Sequence, residues 1–472
     1  VRHALPARRH LHALGAIVQL GDALGIRAGE IVALVGAGGK TATLQRLASE
    51  SLAQGWRVIA TTTTHVLPPP LDEGWPLIVE RDARVRSQAV LRAVKERGRA
   101  FVAGITEPDG KLAGIPPGEV EGLLPLADVV LVEADGARGR WLKAPAEHEP
   151  VIPPAAGLVV PVVGLQAVGQ PLDGQVVHRP QHFAALLQSP PGSVISEHLV
   201  ARLLQHSAGG LQGVPPQARV VAFCNHADSP DRRVAGRRVA AAVLQARGRI
   251  ACVVVGAAQT PLPDCERWEP AAVVILAAGA GRRYGRLKQA EVWDGRPFLS
   301  RVVAAALSSL AAEVHVVLGY RAEALEPLLR EQGSTRLQHT VNPAWEEGLA
   351  RSVQAGLQAV GPAVQAALFC HADQPLLTAA EIDALLVRRA LTGAPIVAPC
   401  WQGEFHSPIL FGRALFADLV AHTGDTGGRG LLDCYPHLVE AVEIPDPLPY
   451  EDVDTPADYL RLRRLGGDGR ER

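Results

Sequence analysis

Short apolar runs recur along the chain, separated by segments with a helical period of apolar positions. In the first half they read IVALVG (31–36), RVIATTTTH (57–65), DVVLVEADG (128–136), GLVVPVVG (157–164), ARVVAFCNHAD (218–228) and RIACVVVG (249–256). Runs rich in Val, Ile and Ala, spaced by helix-length stretches such as KTATLQRLASESLAQG, predict parallel strands covered on both faces. The pattern breaks at GAAQTPLPDCERWEP (256–270), which has three prolines and no periodicity. It resumes with AAVVILAAG, EVHVVLGY (313–320), AALFCHADQP (366–375) and APIVAPCW (394–401). The expectation is an α/β protein of two doubly wound domains, 1–256 and 271–472, joined by a linker over 257–270.

Composition agrees. A chain of 472 residues exceeds one ordinary core, since a domain takes roughly 100–200 residues. With 47% hydrophobic and 20% charged residues, the chain belongs with folded proteins rather than disordered ones. Its net charge of -1 argues against a nucleic-acid partner or polybasic membrane attachment. Bound anions must then be met by local clusters. The six cysteines form no CxxC pair, so neither a zinc site nor a disulfide framework is signalled. No apolar run is long enough for a bilayer, and VRHALPARRH lacks the apolar stretch of a secretory signal; the expected location is cytoplasmic.

The second half carries its chemistry first in LAAGAGRRYG (276–285). A strand running into a glycine-rich turn lets the backbone of Leu276, Ala277, Ala278, Gly279 and Gly281 approach a ligand closely. Arg282, Arg283 and Lys288 add fixed positive charge suited to a polyphosphate. A tight turn with solvated arginines is the plainer alternative. The order L-A-A-G-x-G-x-R-x-G-x-x-K decides between them, because it resembles the signature of the sugar- and cofactor-nucleotidyltransferases. Tyr284 stands where that family usually has Met or Phe.

Three further segments follow in the family's order. NPAWEEGLARSVQAGL (342–357) resembles the segment facing the base in cytidylyltransferases, which implies a pyrimidine beside Gly348, Ser352 and Gly356; the alternative is an ordinary helix N-terminus. HADQP (371–375) places Asp373 where the family holds magnesium, and DVDTPADY (452–459) offers Asp452 or Asp454 as the second carboxylate, with Asp458 capping the next helix. HTGDTGGRGLL (422–432) resembles the acceptor-side G-D-x-G loop through Gly424 and Asp425. His406-Ser407 stands where the acceptor segment is often G-H-P. Over 271–465 the chain is most similar to molybdenum cofactor cytidylyltransferases (MocA-like, within the MobA-like family). That resemblance implies a Rossmann-like, GT-A-like fold, Mg²⁺, CTP and molybdopterin cofactor as substrates, and Arg283, Lys288 and Asp373 as the catalytic set. GTP, or another phosphorylated acceptor, is the alternative.

In the first half, LVGAGGKTAT (34–43) sets Gly36, Gly38 and Gly39 before Lys40-Thr41 at a strand-to-helix junction, where free amides bind phosphate. Lys40 would reach terminal phosphates and Thr41 a magnesium ion. The first glycine of the full P-loop pattern would fall at Leu34, so the match is partial. VVLVEADG ends in Glu133 and Asp135, a Walker-B-like layout in which Asp135 serves the metal. Asn225 and Asp228 resemble the base-reading N-K-x-D element of GTPases, or are simply turn residues; ATP or GTP is the expected nucleotide. EADGARGRWLKAPAEHEPVIP (133–153), TTTTH (61–65) and HRP (178–180) resemble the selenium-dependent hydroxylase accessory proteins (YqeC-like) over 14–256. This implies a P-loop-like accessory domain that serves an apo molybdenum hydroxylase, and leaves open a non-catalytic cofactor carrier. Arg138, Arg140, Lys143 and His148 form a basic cluster that meets an anionic substrate or solvates a loop.

Overall fold

The computed structural model describes residues 19–68, 74–260, 265–422 and 428–467, side chains of 465–467 excepted. Two units divide it after Trp268. In the first, the continuous apolar runs become strands β1 (Glu30–Gly36), β2 (Val58–Thr62), β3 (Leu77–Val79), β4 (Arg99–Ala103), β5 (Val129–Glu133), β6 (Leu158–Gly164), β7 (Ala222–Asn225), β8 (Val253–Val255) and β9 (Glu266–Trp268). Their order across the sheet is β9-β8-β7-β6-β1-β5-β2-β4-β3, with every pairing parallel except β8 with β9. Successive residues of β1 and β6 are all buried along their middles, so both faces are covered, as a parallel sheet requires. Helix α1 (Lys40–Ala53) starts directly after β1 and packs Leu44, Leu47 and Ala48 with Val32, Leu34, Val58 and Leu131.

The stretch expected as a linker is partly ordered sheet. β9 lies within 257–270 and pairs antiparallel with β8, Val253 opposite Trp268. Local composition hid it because the strand is short and its first residue is a buried charge. Glu266 is fully inside, accepting from Arg237 Nη2 at 2.7 Å and from Trp268 Nε1 at 3.0 Å.

The second unit contains β10 (Ala271–Ala277), β11 (Glu313–Leu318), β12 (Leu337–Val341), β13 (Ala366–His371), β14 (Ile396–Trp401), β15 (Ile409–Gly412) and β16 (Val439–Glu443). The sheet runs β12-β11-β10-β13-β15-β14, with β16 parallel to β14. β15 is antiparallel to both its neighbours, so this sheet is mixed rather than wholly parallel. β10 and β13 are adjacent and parallel, Leu276 opposite His371, which brings the loops after both strands to one edge. Ligands of open α/β sheets bind at such carboxyl ends.

Candidate functional site

After β10 the chain turns through Gly279 and Gly281, the latter at φ +61, where a side chain's Cβ would come within 2.9 Å of the Arg286 carbonyl oxygen. The buried Gln289 amide pins the turn from behind, donating to the Gly279 carbonyl at 2.7 Å and the Ala277 carbonyl at 3.2 Å. Tyr284 is an anchor, buried with Trp293, Phe298, Val453 and Leu462. Leu276, Ala277 and Ala278 are likewise buried, so only their backbone can serve a ligand.

The carboxylates converge on this loop. The Val453 amide donates to the Asp373 carbonyl at 2.9 Å, clamping 452–454 beside the end of β13. Lys288 Nζ donates to Asp373 Oδ2 and, at 2.9 Å, to Asp454 Oδ1, while Arg283 pairs with Asp454 Oδ2 at 2.9 Å. Burial alone would lower the Lys288 ammonium, but Asp373 and the bonds to both carboxylates outweigh it and hold it above the ordinary lysine value. Asp452 reaches solvent, yet desolvation by the surrounding chain, with the charge of Asp373, pushes its carboxyl up to about 6. Asp373 Oδ1 is buried with no hydrogen-bond partner. Such an orphaned carboxylate oxygen beside Asp454 fits magnesium, which takes one or two carboxylates and completes its shell from water and phosphate oxygens. Among the described residues no group of three or more His, Cys, Asp or Glu could hold a metal unaided.

Two expected residues take other places. Ser352 is buried on helix α2 (Leu349–Ala359), its Oγ accepting from Asn342 Nδ2 at 3.1 Å. A Cβ at Gly356 would lie 2.5 Å from Val274 Cγ1, so this glycine serves close packing of helix on sheet. The helical period that aligns them points both at the core. Gly348, at φ +109, remains at the start of α2. Asp458 caps its helix, accepting from the Thr455 amide at 2.8 Å. Ser407 forms a cis bond to Pro408, and His406 Nε2 is buried without a partner. Gly424 and Asp425 lie outside the described residues. One residue went unread: Gln374, fully buried, donates to the Tyr450 carbonyl at 2.9 Å and the Ser407 carbonyl at 3.3 Å, tying three loops behind Asp373. Its signal was an uncharged polar side chain directly after a strand-end carboxylate.

In the first unit, the glycine loop is shaped by close contact with backbone and with the Asn225 side chain. A Cβ at Gly38 would lie 2.2 Å from the Gly164 nitrogen, one at Gly36 2.5 Å from the Val162 oxygen, and one at Gly39 2.5 Å from Asn225 Nδ2, all three with positive φ. Leu34 is core. Lys40 folds back, donating to the Gly36 carbonyl at 2.7 Å and pairing with Asp135 at 3.0 Å. Asp135 is also 3.0 Å from Lys143, which reaches Glu149 at 2.9 Å, and Glu149 meets Arg179 at 2.7 Å. Desolvation would raise Glu149, but Arg179 and Lys143 overcome it and bring the carboxyl down to about 2.

Asp135 is buried between two lysines, and its position two residues past β5 turns it under the glycine loop. The carboxylate beside Thr41 is Glu133, accepting from Thr41 Oγ1 at 3.1 Å and pushed up by burial. Asn225 and Asp228 do not read a base here. The Asn225 amide donates to the Gly38 carbonyl at 2.8 Å and its oxygen accepts from the Ala258 amide at 2.9 Å, while Asp228 pairs at the surface with Arg232 at 2.6 Å. Within the tetra-threonine run, Thr61, Thr62 and Thr63 donate to carbonyls of Val102, Glu133 and Val151. Lys40, Thr41 and Glu133 open onto a cleft of about 940 Å³, also lined by Arg138, Arg140, His178, Arg179 and His226.

A mixed α/β unit with a glycine turn, paired basic residues and converging carboxylates at its sheet edge is the layout of a nucleotidyltransferase. The chain belongs to the YqeC family through its first half, matched over 32–181, and to the MobA-like NTP transferase domain family through its second, matched over 273–441. The second unit is thus a nucleotidyltransferase domain. "Uncharacterized protein YqeC" of Escherichia coli (strain K12) is 35% identical over 208 residues, 43% of this chain and 79% of that protein. "Purine catabolism protein PucB" of Bacillus subtilis (strain 168) is 31% identical over 201 residues, 40% of this chain and 95% of that protein. "Nicotine blue oxidoreductase" of Paenarthrobacter nicotinovorans is 29% identical over 202 residues, 40% of this chain and 94% of that protein. Among the described residues no helix is long and apolar enough to cross a membrane.

Proposed function

We propose that the second unit transfers CMP from CTP to molybdopterin cofactor, releasing pyrophosphate, and that the first binds ATP or GTP as an accessory module for maturing a molybdenum hydroxylase. The observation that carries the first part is Lys288 set between Asp373 and Asp454 beside a glycine turn. In this reading a phosphate oxygen of the acceptor attacks the α-phosphorus, and the bond to pyrophosphate breaks in line. Arg283 and Lys288 exchange their carboxylate partners for β- and γ-phosphate oxygens, so charge neutralisation and positioning carry the rate. Asp373 with Asp454 would hold Mg²⁺, which neutralises charge on the reacting phosphates when bound. In the first unit, Thr41 and Glu133 are the corresponding pair, and the Gly36–Thr41 loop cradles the phosphates.

A second reading, transfer from GTP or to another phosphorylated acceptor, is favoured by Ser407 in the acceptor segment and by the burial of Ser352. Mass spectrometry of the product, after incubation with Mg²⁺, molybdopterin cofactor and CTP or GTP, tests both. A cytidine dinucleotide product, with kcat/KM for CTP at least about ten-fold above GTP, is expected. A guanosine product overturns the cytidylyl assignment, and no product with either nucleotide favours a carrier that delivers cofactor to the apo-hydroxylase.

A further inference from the structure

The cleft of the first unit carries more positive charge than its glycine loop explains. Besides Lys40, it is lined by Arg138 and Arg140 from the turn after β5 and by Arg179. Lys40 is already neutralised by Asp135 and Arg179 by Glu149, so neither is the free cation of this wall. Arg138 and Arg140 are. Among the described residues no hydrogen bond or ion pair engages either guanidinium. His148, expected to join them, does not line the cleft.

Backbone geometry fixes this wall against the loop. The Gly38 amide donates to the Arg140 carbonyl at 3.0 Å and the Gly164 amide to the Trp141 carbonyl at 2.9 Å, so the arginine turn is stitched to the glycine loop itself. Arg138 has φ 50 and Arg179 has φ 65, left-handed conformations that non-glycine residues rarely hold. Such strain persists where surrounding structure over-determines it, and it clusters at ligand clamps. Arg179 is further locked by Glu149 at 2.7 Å. At about 940 Å³ the cleft lies near the upper end of small-molecule sites, which run to roughly 1,000 Å³.

We infer that Arg138 and Arg140 form a second anion site in this cleft, facing the glycine loop, that takes a phosphorylated small molecule alongside the nucleotide. The placement of the nucleotide rests on the reading given above; the anion site itself rests on the arginines. Guanidinium groups suit this because their planar donor forks bind phosphate oxygens in pairs.

The test measures retention of radiolabelled inorganic phosphate by the full-length chain in equilibrium dialysis. Mg²⁺, CTP and a saturating β,γ-imido analogue of ATP or GTP are present, so that a terminal-phosphate position on the loop is already filled. The expected result is phosphate binding that the double variant Arg138→Gln/Arg140→Gln weakens by about ten-fold or more, a loss of one charge-assisted contact or greater, with the analogue's Kd unchanged. Arg138→Lys/Arg140→Lys should recover part of the loss and guards against misfolding of the glutamine variant. Phosphate binding equal in wild type and the glutamine variant overturns the inference. So does a ten-fold weakening of the analogue itself, which would place the arginines on the nucleotide's own phosphates. If the analogue fails to bind while the arginine-dependent phosphate remains, the anion site stands and the nucleotide reading falls.

Discussion

Asp373 and Glu149 both pair with basic side chains, but their surroundings differ. Asp373 keeps one oxygen buried and unpaired, a condition that is unfavourable unless a ligand satisfies it. Asp373→Asn keeps the size and removes the charge, so turnover should fall by at least about 100-fold while the thermal midpoint hardly moves; wild-type turnover at saturating Mg²⁺ would exclude Asp373 from the metal. Glu149 has both neighbours satisfied, and its carboxyl is held near 2 rather than the ordinary 4.5. Because the folded value is depressed, the contribution is full above pH 4.5 and fades as pH falls toward 2. Solvent screening of this half-buried group reduces the full linkage value, so Glu149→Gln should destabilise at pH 7 by on the order of 1–2 kcal/mol, and chemical denaturation at descending pH should show the gap closing. A constant gap would mean that packing, not charge, is lost.

At the level of elements, the strand–turn junctions were legible because a glycine cluster after an apolar run has few other uses. Gly36 and Gly38 take positive φ against neighbouring backbone, and Gly39 against the Asn225 side-chain amide. What local pattern hid was where each polar group goes. Asn225 is 187 residues from the carbonyl it binds, Asp135 sits between two lysines, and Gln374 reaches 76 residues to Tyr450. The small residues of 348–356 read alike in sequence, yet only the register of helix on sheet reveals Gly356 as a packing glycine. Two substitutions separate these roles. Gly38→Ala forces a Cβ to 2.2 Å from the Gly164 nitrogen, whereas Gly29→Ala, also at positive φ, meets nothing within 4 Å. Both bear the left-handed strain of about 1–2 kcal/mol, so urea midpoints should drop slightly for Gly29→Ala and far more for Gly38→Ala. Gly356→Ala should lower stability of the second unit with KM for the nucleotide preserved; a selective rise in KM would return Gly356 to the base site.

For the whole molecule, each unit carries its own buried sheet, glycine turn, basic residue and carboxylate, and the chain divides between β9 and β10. Sequence pattern conveyed this duplication of parts, since an apolar strand followed by a glycine loop recurs on either side of the proline-rich break at 256–270. It set the join too early, because the charged strand Glu266–Trp268 is held by a buried Arg237–Glu266 pair that no local feature announces. Independence of the two chemistries is the consequence to test. Lys40→Ala removes the ammonium that Asp135 now holds 3.0 Å away, and Lys143 still balances that carboxylate. The variant should fold. Its affinity for ATP or GTP should fall by roughly 1.5–3 kcal/mol, the worth of a charge-assisted contact, while nucleotidyl transfer proceeds at the wild-type rate. Calorimetric titration of the variant with ATP or GTP, beside its turnover with CTP, measures both. A parallel fall in the two would mean that the two chemistries are not independent.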